Sequence, residues 1–335
     1  MTEKQEKKQL AILNVLKTSA RPLSGSKITE ELIALGHEFS ERTVRLYLQR
    51  MDQEGLTRNI GKRGRQITER GLNELESSIT IERVGFLSAK IDRMTYGMNF
   101  DMANKSGTVV VNITLVEPKV LLERIKMISR VFERGYAMGH LVALLGPGER
   151  IGHISVPEGM LGMGTVCSIT LNGVLLKYGI PTNSRFGGLL ELQEGKPTRF
   201  VEIITYDGTS IDPLEVFIRS GMTDYVGAIK TGNGRIGASF REFPAESRGL
   251  VTDLAHKLEK IGLGGFMKIG RPGQTLLEIP VSESRVGAIV IGGLNPVSII
   301  EETGIRVYSR ALAGLIDFNR LCRYEEMEDR VRAFM

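Results

Sequence analysis

Residues 162–188, GMGTVCSITLNGVLLKYGIPTNSRFGG, decide how the rest of the chain is read. An apolar, strand-like run over residues 165–170 passes through Leu171, Asn172 and Gly173 into a short helix-like segment. The chain then leaves through Gly179, Ile180 and Pro181 into a Ser-Arg-Phe-Gly-Gly turn. A strand feeding a helix N-terminus between glycines can aim backbone N–H groups at a small anion. The same pattern also describes a buried strand–turn–helix with no ligand. Donors available to an anion are the hydroxyls of Thr165, Ser168 and Thr170, the Asn172 amide and the Gly173 N–H. Arg185 can either clamp a carboxylate bidentately or form a surface ion pair with an acid such as Glu191. Cys167 fits a buried inert thiol or a pocket wall. A nucleophilic thiolate needs an electropositive, partly exposed niche, and Lys177 is the one base near it in sequence.

The stretch has a second copy. Met94-Thr95-Tyr96 returns as Met222-Thr223-Asp224-Tyr225, and the strand start at Gly107 returns at Gly234. A helix with Leu121, Ile125, Ile128 and Phe132 matches one with Val251, Leu254, Leu258 and Ile261, and the two end at Gly135 and Gly262. Leu171-Asn172-Gly173 aligns with Leu294-Asn295-Pro296, Gly179-Ile180 with Gly304-Ile305, and Ser184-Arg185 with Ser309-Arg310. Matches in the same order at a near-constant offset describe one α+β regulatory domain, residues 81–325, built from half-repeats at about 82–192 and 212–318.

Each half is expected to run strand, amphipathic helix, three shorter strands, short helix. Strand pattern is clear over residues 107–116, 152–156, 165–170, 200–206, 276–281 and 288–292. This mixture predicts sheets with helices on one face and not a doubly wound parallel sheet. Two copies commonly associate about a pseudo-twofold axis, with ligands in the groove between them. That draws attention to Asn172 with Asn295 and Arg185 with Arg310. The second copy replaces Cys167, Ser168 and Thr170 by apolar residues or glycine, so the first copy is the polar half to test for a ligand.

Residues 1–80 form a separate small domain. Helical spacing places Leu10, Leu13 and Leu16 on a first helix; Ile28, Leu32 and Leu35 lie on a second, which stops at Gly36. Ser40 caps a third helix with Val44, Leu48 and Met51 inward at i, i+4, i+7. Its other side presents Arg42, Thr43, Arg45 and Gln49. Arginine pairs with guanine and glutamine with adenine in the major groove. Gly61-Lys62-Arg63-Gly64-Arg65 then makes the tip of a basic hairpin suited to phosphates. A fourth helix is expected over residues 68–77. Residues 42–70 hold eight Lys/Arg against three Asp/Glu. The order is that of a winged helix-turn-helix with the third helix reading double-stranded DNA. A winged helix used for protein contacts is the alternative.

The whole chain carries a net charge of +5, with 41% hydrophobic and 25% charged residues, as in an ordinary soluble protein. No apolar run approaches the roughly 20 residues of a membrane span, and the charged N-terminus lacks a signal-peptide core. The two cysteines, Cys167 and Cys322, predict reduced thiols and a cytoplasmic location. Four histidines show no metal-ligand spacing. No P-loop, GxSxG, HExxH or dinucleotide fingerprint occurs, so no catalytic residues, metal or cofactor are expected.

A winged helix joined to TVCSITLNGVLLKYGIPTNSRFGG, with Gly152-His153-Ile154-Ser155 and Leu294-Asn295-Pro296 in support, resembles the nitrogen-regulatory transcriptional repressors of methanogenic archaea (NrpR-like). The resemblance covers essentially the whole chain. It implies a homodimeric repressor on an inverted-repeat operator, released from DNA by a small anionic effector, 2-oxoglutarate. Carried over, the ligand segment comprises residues 165–173, with Thr165, Cys167, Ser168, Asn172 and Gly173, and residues 184–188, with Arg185. A single regulatory domain is expected, where the well-known methanogen form has two in tandem. A bifunctional enzyme with a fused winged helix is the other reading; it requires a nucleotide loop or catalytic pair that the sequence lacks.

Overall fold

A computed structural model describes residues 3–19, 21–35, 37, 39–72, 75 and 86–334, and the chain divides into two compact units between residues 85 and 86. The first contains α1 (Glu3–Thr18), α2 (Gly25–Ala34), α3 (Glu41–Gln53) and the hairpin β1 (Thr57–Asn59) and β2 (Arg65–Ile67). Ser24 and Ser40 cap α2 and α3, each hydroxyl accepting a backbone N–H from the first turn. Val44, Leu48 and Met51 are fully buried against Ile12, Leu13, Leu16, Ile28 and Leu32. A side chain such as Leu48 contributes about 1.5–3 kcal/mol by that burial. Leu35 departs from expectation: it lies beyond α2 and is 62% exposed. The expected helix stop at Gly36 lies outside the described residues, as does part of the expected fourth helix.

The second unit repeats one motif. Its first copy is β3 (Thr108–Val116), α5 (Pro118–Glu133), β4 (Leu141–Leu145), a two-residue hairpin β5 (Arg150–Ile151) and β6 (Ile154–Ser155), β7 (Leu161–Val166), α6 (Ile169–Lys177) and β8 (Asn183–Gln193). Helix α4 (Leu87–Gly97) precedes it, and β9 (Lys196–Thr205), α7 (Pro213–Arg219) and α8 (Tyr225–Thr231) follow. The second copy is β10 (Gly234–Pro244), α9 (Arg248–Lys260), β11 (Phe266–Ile269), β12 (Arg285–Ile291), α10 (Asn295–Glu302) and β13 (Tyr308–Asp317). Strand β14 (Cys322–Arg323) and α11 (Met327–Arg332) end the chain.

Two five-stranded antiparallel sheets result, ordered β13-β3-β7-β4-β14 and β11-β12-β10-β8-β9. The last strand of each copy pairs with the first strand of the other: β8 joins β10, and β13 joins β3. The half-repeats are therefore interlocked by exchanged strands, and neither completes its sheet alone.

Three expectations change. The strand expected over residues 165–170 ends at Val166, and the helix starts at Ile169. The Ser-Arg-Phe-Gly-Gly segment is the start of exchanged strand β8, not a turn, because its apolar partners lie in the other half-repeat. Residues 276–281 make one isolated bridge, Leu276 to Ile279, and no strand.

Candidate functional site

On α3, Arg42, Arg45, Leu46 and Gln49 line one open groove of about 380 Å³ together with Glu41. Arg45 pairs with Glu41 at 2.6 Å on the exposed helix surface. Such i,i+4 pairs contribute only about 0.3–0.5 kcal/mol, so a phosphate or base edge can displace the carboxylate. Thr43 belongs to the cap: its hydroxyl lies 2.8 Å from that of Ser40, and its N–H donates to the same atom. Lys62 and Arg63 occupy the exposed wing turn.

Arg65 is a correction to the expected DNA contacts. It sits in β2, half-buried, with Nε donating to Asp52 Oδ2 at 2.9 Å and its backbone paired with Leu23. The side chain therefore anchors the wing to α3. Replacing Lys62 and Arg63 by alanine is expected to reduce the slope of log affinity against log salt by about 1–2. Arg65→Ala should instead lower the melting temperature and leave that slope unchanged. Binding titrations at several salt concentrations check both; a slope change from Arg65→Ala alone would reverse the assignment.

In the second unit, three of the expected ligand residues stand at the seam between the half-repeats. Cys167 and Ser168 line a small cavity with Asn112, Tyr206, Asp212, Ser239, Gly292 and Gly293, and Asn172 stands on the adjoining turn of α6. In strand register Asn112 opposes Thr165, and Ser239 opposes Val290, so Asn112 and Ser239 are equivalent positions of the two copies. The cavity lies on the pseudo-twofold relation. Gly293 permits this close approach: a Cβ there would meet the Asn112 amide, Val166 O and the Cys167 backbone.

The residue that organises this seam is Arg241, on β10 and 1% exposed. Its Nη1 donates to Ser168 O at 2.8 Å and to Asn172 Oδ1, and its Nη2 donates to Ser168 Oγ at 2.8 Å. Its Nε has no hydrogen-bond partner, and among the described residues no carboxylate pairs with it. Desolvation lowers its pKa, and a guanidinium remains charged in proteins regardless. Leaving a charge buried without a carboxylate partner is costly. A register shift between Phe240 and Arg241 against β8 accompanies this placement, as bulges often re-aim a side chain.

The other expected residues fare differently. Thr165 is buried, its hydroxyl accepting from Asn112 Nδ2 at 3.3 Å. Thr170 is committed to Val110, donating to its O and accepting from its N–H. Gly173 is corrected: it lies inside α6, packed against Met98 where a Cβ would collide, so its N–H does not face the cavity. Arg185 pairs with neither a cavity group nor Glu191. It donates to Glu242 Oε1 at 2.8 Å and Pro280 O at 2.7 Å and stacks over Phe240.

Burial pushes the Cys167 thiol up to about 11, leaving it protonated and unreactive at neutral pH. Burial, then the neighbouring Glu215 carboxylate, pushes Asp212 up to about 7, although part of its surface still meets solvent. Desolvation also raises the Tyr206 phenol well above its usual range. The cavity thus holds one carboxyl that is partly ionised near neutral pH, Asp212, and the Arg241 cation adjoins it through Ser168. The cavity volume is about 20 Å³, room for about one water molecule.

Arg241 and Leu46 were missed by sequence reading. In SFREF the charged residue falls where strand alternation expects solvent, and the start of α6 in the other copy, through Ser168 and Asn172, covers it instead. Leu46 follows no rule of burial, being 67% exposed.

Residues 84–323 match the family described as NrpR regulatory domains NRD1 and 2, and residues 10–75 match the Ribonuclease R winged-helix domain. The global nitrogen regulator NrpRI of Methanosarcina mazei is 33% identical, over 94% of this chain and 97% of its own length. The global nitrogen regulator NrpR of Methanocaldococcus jannaschii is 32% identical over 94% of this chain. That of Methanococcus maripaludis is 29% identical over 97%. The chain spans 55% of the length of each of these two. A crystal structure of a nitrogen repressor-like protein from Methanococcus jannaschii matches 71% of this chain and 98% of its own, at TM-score 0.61 and 26% identity. Among the described residues no helix is long and apolar enough to cross a membrane.

Proposed function

This chain belongs to the NrpR family of nitrogen regulators, and on that premise we propose that it represses transcription as a cytoplasmic homodimer on an inverted-repeat operator and is released by 2-oxoglutarate. It is a regulator and not an enzyme, as its named relatives are. The observation that carries the effector reading is Arg241, a buried guanidinium with no carboxylate partner among the described residues, beside a cavity between two half-repeats. An effector carboxylate supplies the missing anion, through charge-assisted hydrogen bonds of about 1.5–3 kcal/mol each.

A cavity of about 20 Å³ cannot hold a five-carbon diacid, so the effector binds by widening this seam locally while the exchanged strands stay paired. The ligand then favours one of two arrangements through differential affinity. A dimer presents two recognition helices to successive major grooves about 34–36 Å apart, and a changed spacing loosens both. A coupling of about 1–3 kcal/mol weakens DNA binding by about 5- to 150-fold. The test uses duplex DNA selected by the protein from a random pool, titrated by fluorescence anisotropy with and without millimolar 2-oxoglutarate. An unchanged dissociation constant removes 2-oxoglutarate as the effector.

A further inference from the structure

Leu46 is an anomaly on α3. The apolar face of that helix is already complete, with Val44, Leu48 and Met51 each fully buried, and Leu46 stands 67% exposed on the opposite side. It lies four residues after Arg42 and three before Gln49, hence between them on one helical surface, and all three line the same groove with Arg45. An exposed leucine amid arginine and glutamine adds nothing to the fold.

We propose that Leu46 is a specificity-determining residue that reads the 5-methyl group of a thymine in the major groove. The proposal rests on the DNA-binding reading above and goes beyond it. Leucine neither donates nor accepts a hydrogen bond, and the thymine methyl is the apolar group that the major-groove base edges present. Its neighbours cover the polar edges, arginine suiting guanine and glutamine adenine. The basic wing turn with Lys62 and Arg63 supplies the phosphate contacts that position the helix without reading sequence. The occupant is thus a thymine-bearing duplex and not a second copy of the chain.

The experiment selects duplexes from a random pool with the full-length protein, then replaces each thymine of the selected site singly by deoxyuridine, which lacks only the methyl. The protein should lose about fourfold in affinity at one thymine per half-site, the worth of one buried methyl-sized group. Leu46→Ala should bind thymine and deoxyuridine equally at that position while keeping the salt slope of the parent. Circular dichroism melts of Leu46→Ala check that the exposed substitution leaves the fold intact, and Leu46→Met provides a longer apolar tip that retains the discrimination. Equal methyl sensitivity in Leu46→Ala, or no methyl-sensitive thymine in the parent, overturns the proposal. So does a loss of dimerisation in Leu46→Ala with unaltered base preference, which makes Leu46 a protein contact. Failure of the parent to retain any duplex is a different result and overturns the DNA-binding reading itself.

Discussion

Arg241→Met should leave a folded, DNA-binding protein that no longer responds to 2-oxoglutarate. Arg241 makes three hydrogen bonds, all to neutral acceptors on Ser168 and Asn172, and its Nε makes none. Removing an unpaired buried charge relieves its desolvation cost and methionine fills the volume flexibly, while the acceptors left on Ser168 and Asn172 cost about 1–3 kcal/mol for each that stays unpaired. The expected signature is therefore a melting temperature within a few degrees of the parent's, together with an effector affinity lower by about 10- to 100-fold. Arg241→Lys keeps the charge without the planar fork and should fall between the two. Thermal melts and anisotropy titrations with 2-oxoglutarate read both halves of the prediction. If Arg241→Met melts several degrees lower and still leaves DNA at the parent's effector concentration, Arg241 is a brace and the anion site is elsewhere.

How far the sequence disclosed this arrangement depended on the range of the forces involved. The winged helix was legible because its determinants are local: Ser24 and Ser40 cap helices within a few residues, and Val44, Leu48 and Met51 follow the helical period. The duplication was legible because the two halves still share glycines at matching places and a Leu-Asn pair. What stayed hidden was the pairing of β8 with β10 and of β13 with β3. Strand partners distant in sequence leave no periodic trace. That one omission turned the start of β8 into a turn and hid the pairing of Arg185 with Glu242 of β10. Arg241 also went unnoticed, on a strand whose alternation pointed it toward water. Gly173 failed for a smaller reason: helix α6 begins a turn earlier than the glycine suggested, so close packing against Met98 explains it better than an open N–H.

Asn295→Ala is expected to cost the second unit about 3–5 kcal/mol, lowering its melting temperature by about 10 °C or more. Asn295 is fully buried at the start of α10. Its Nδ2 donates at 2.9 Å to both Tyr136 O and Gly237 O, while its Oδ1 accepts from the Tyr225 hydroxyl. The Tyr225 oxygen in turn accepts the Gly237 N–H at 2.6 Å. Alanine strands the Tyr225 O–H and the Tyr136 carbonyl at about 1–3 kcal/mol for each unsatisfied group, while Gly237 O keeps the Gly292 N–H; the network ties α10 to β10 and to the end of α5. Asn172 aligns with Asn295 in sequence but lies one turn inside α6 and not at its start, and its partners are Arg241 and, through Nδ2, Ser184 Oγ at 3.0 Å. Asn172→Ala removes an acceptor from a buried cation, and an effector carboxylate can take its place. Saturating 2-oxoglutarate should therefore restore much of the melting temperature lost in Asn172→Ala and add to Asn295→Ala only what it adds to the parent. A buried asparagine near the start of each copy's helix would then brace the second copy and stand beside the ligand in the first. Differential scanning calorimetry of both variants with and without effector separates these roles, and identical ligand-induced shifts in the two would assign both asparagines to bracing alone.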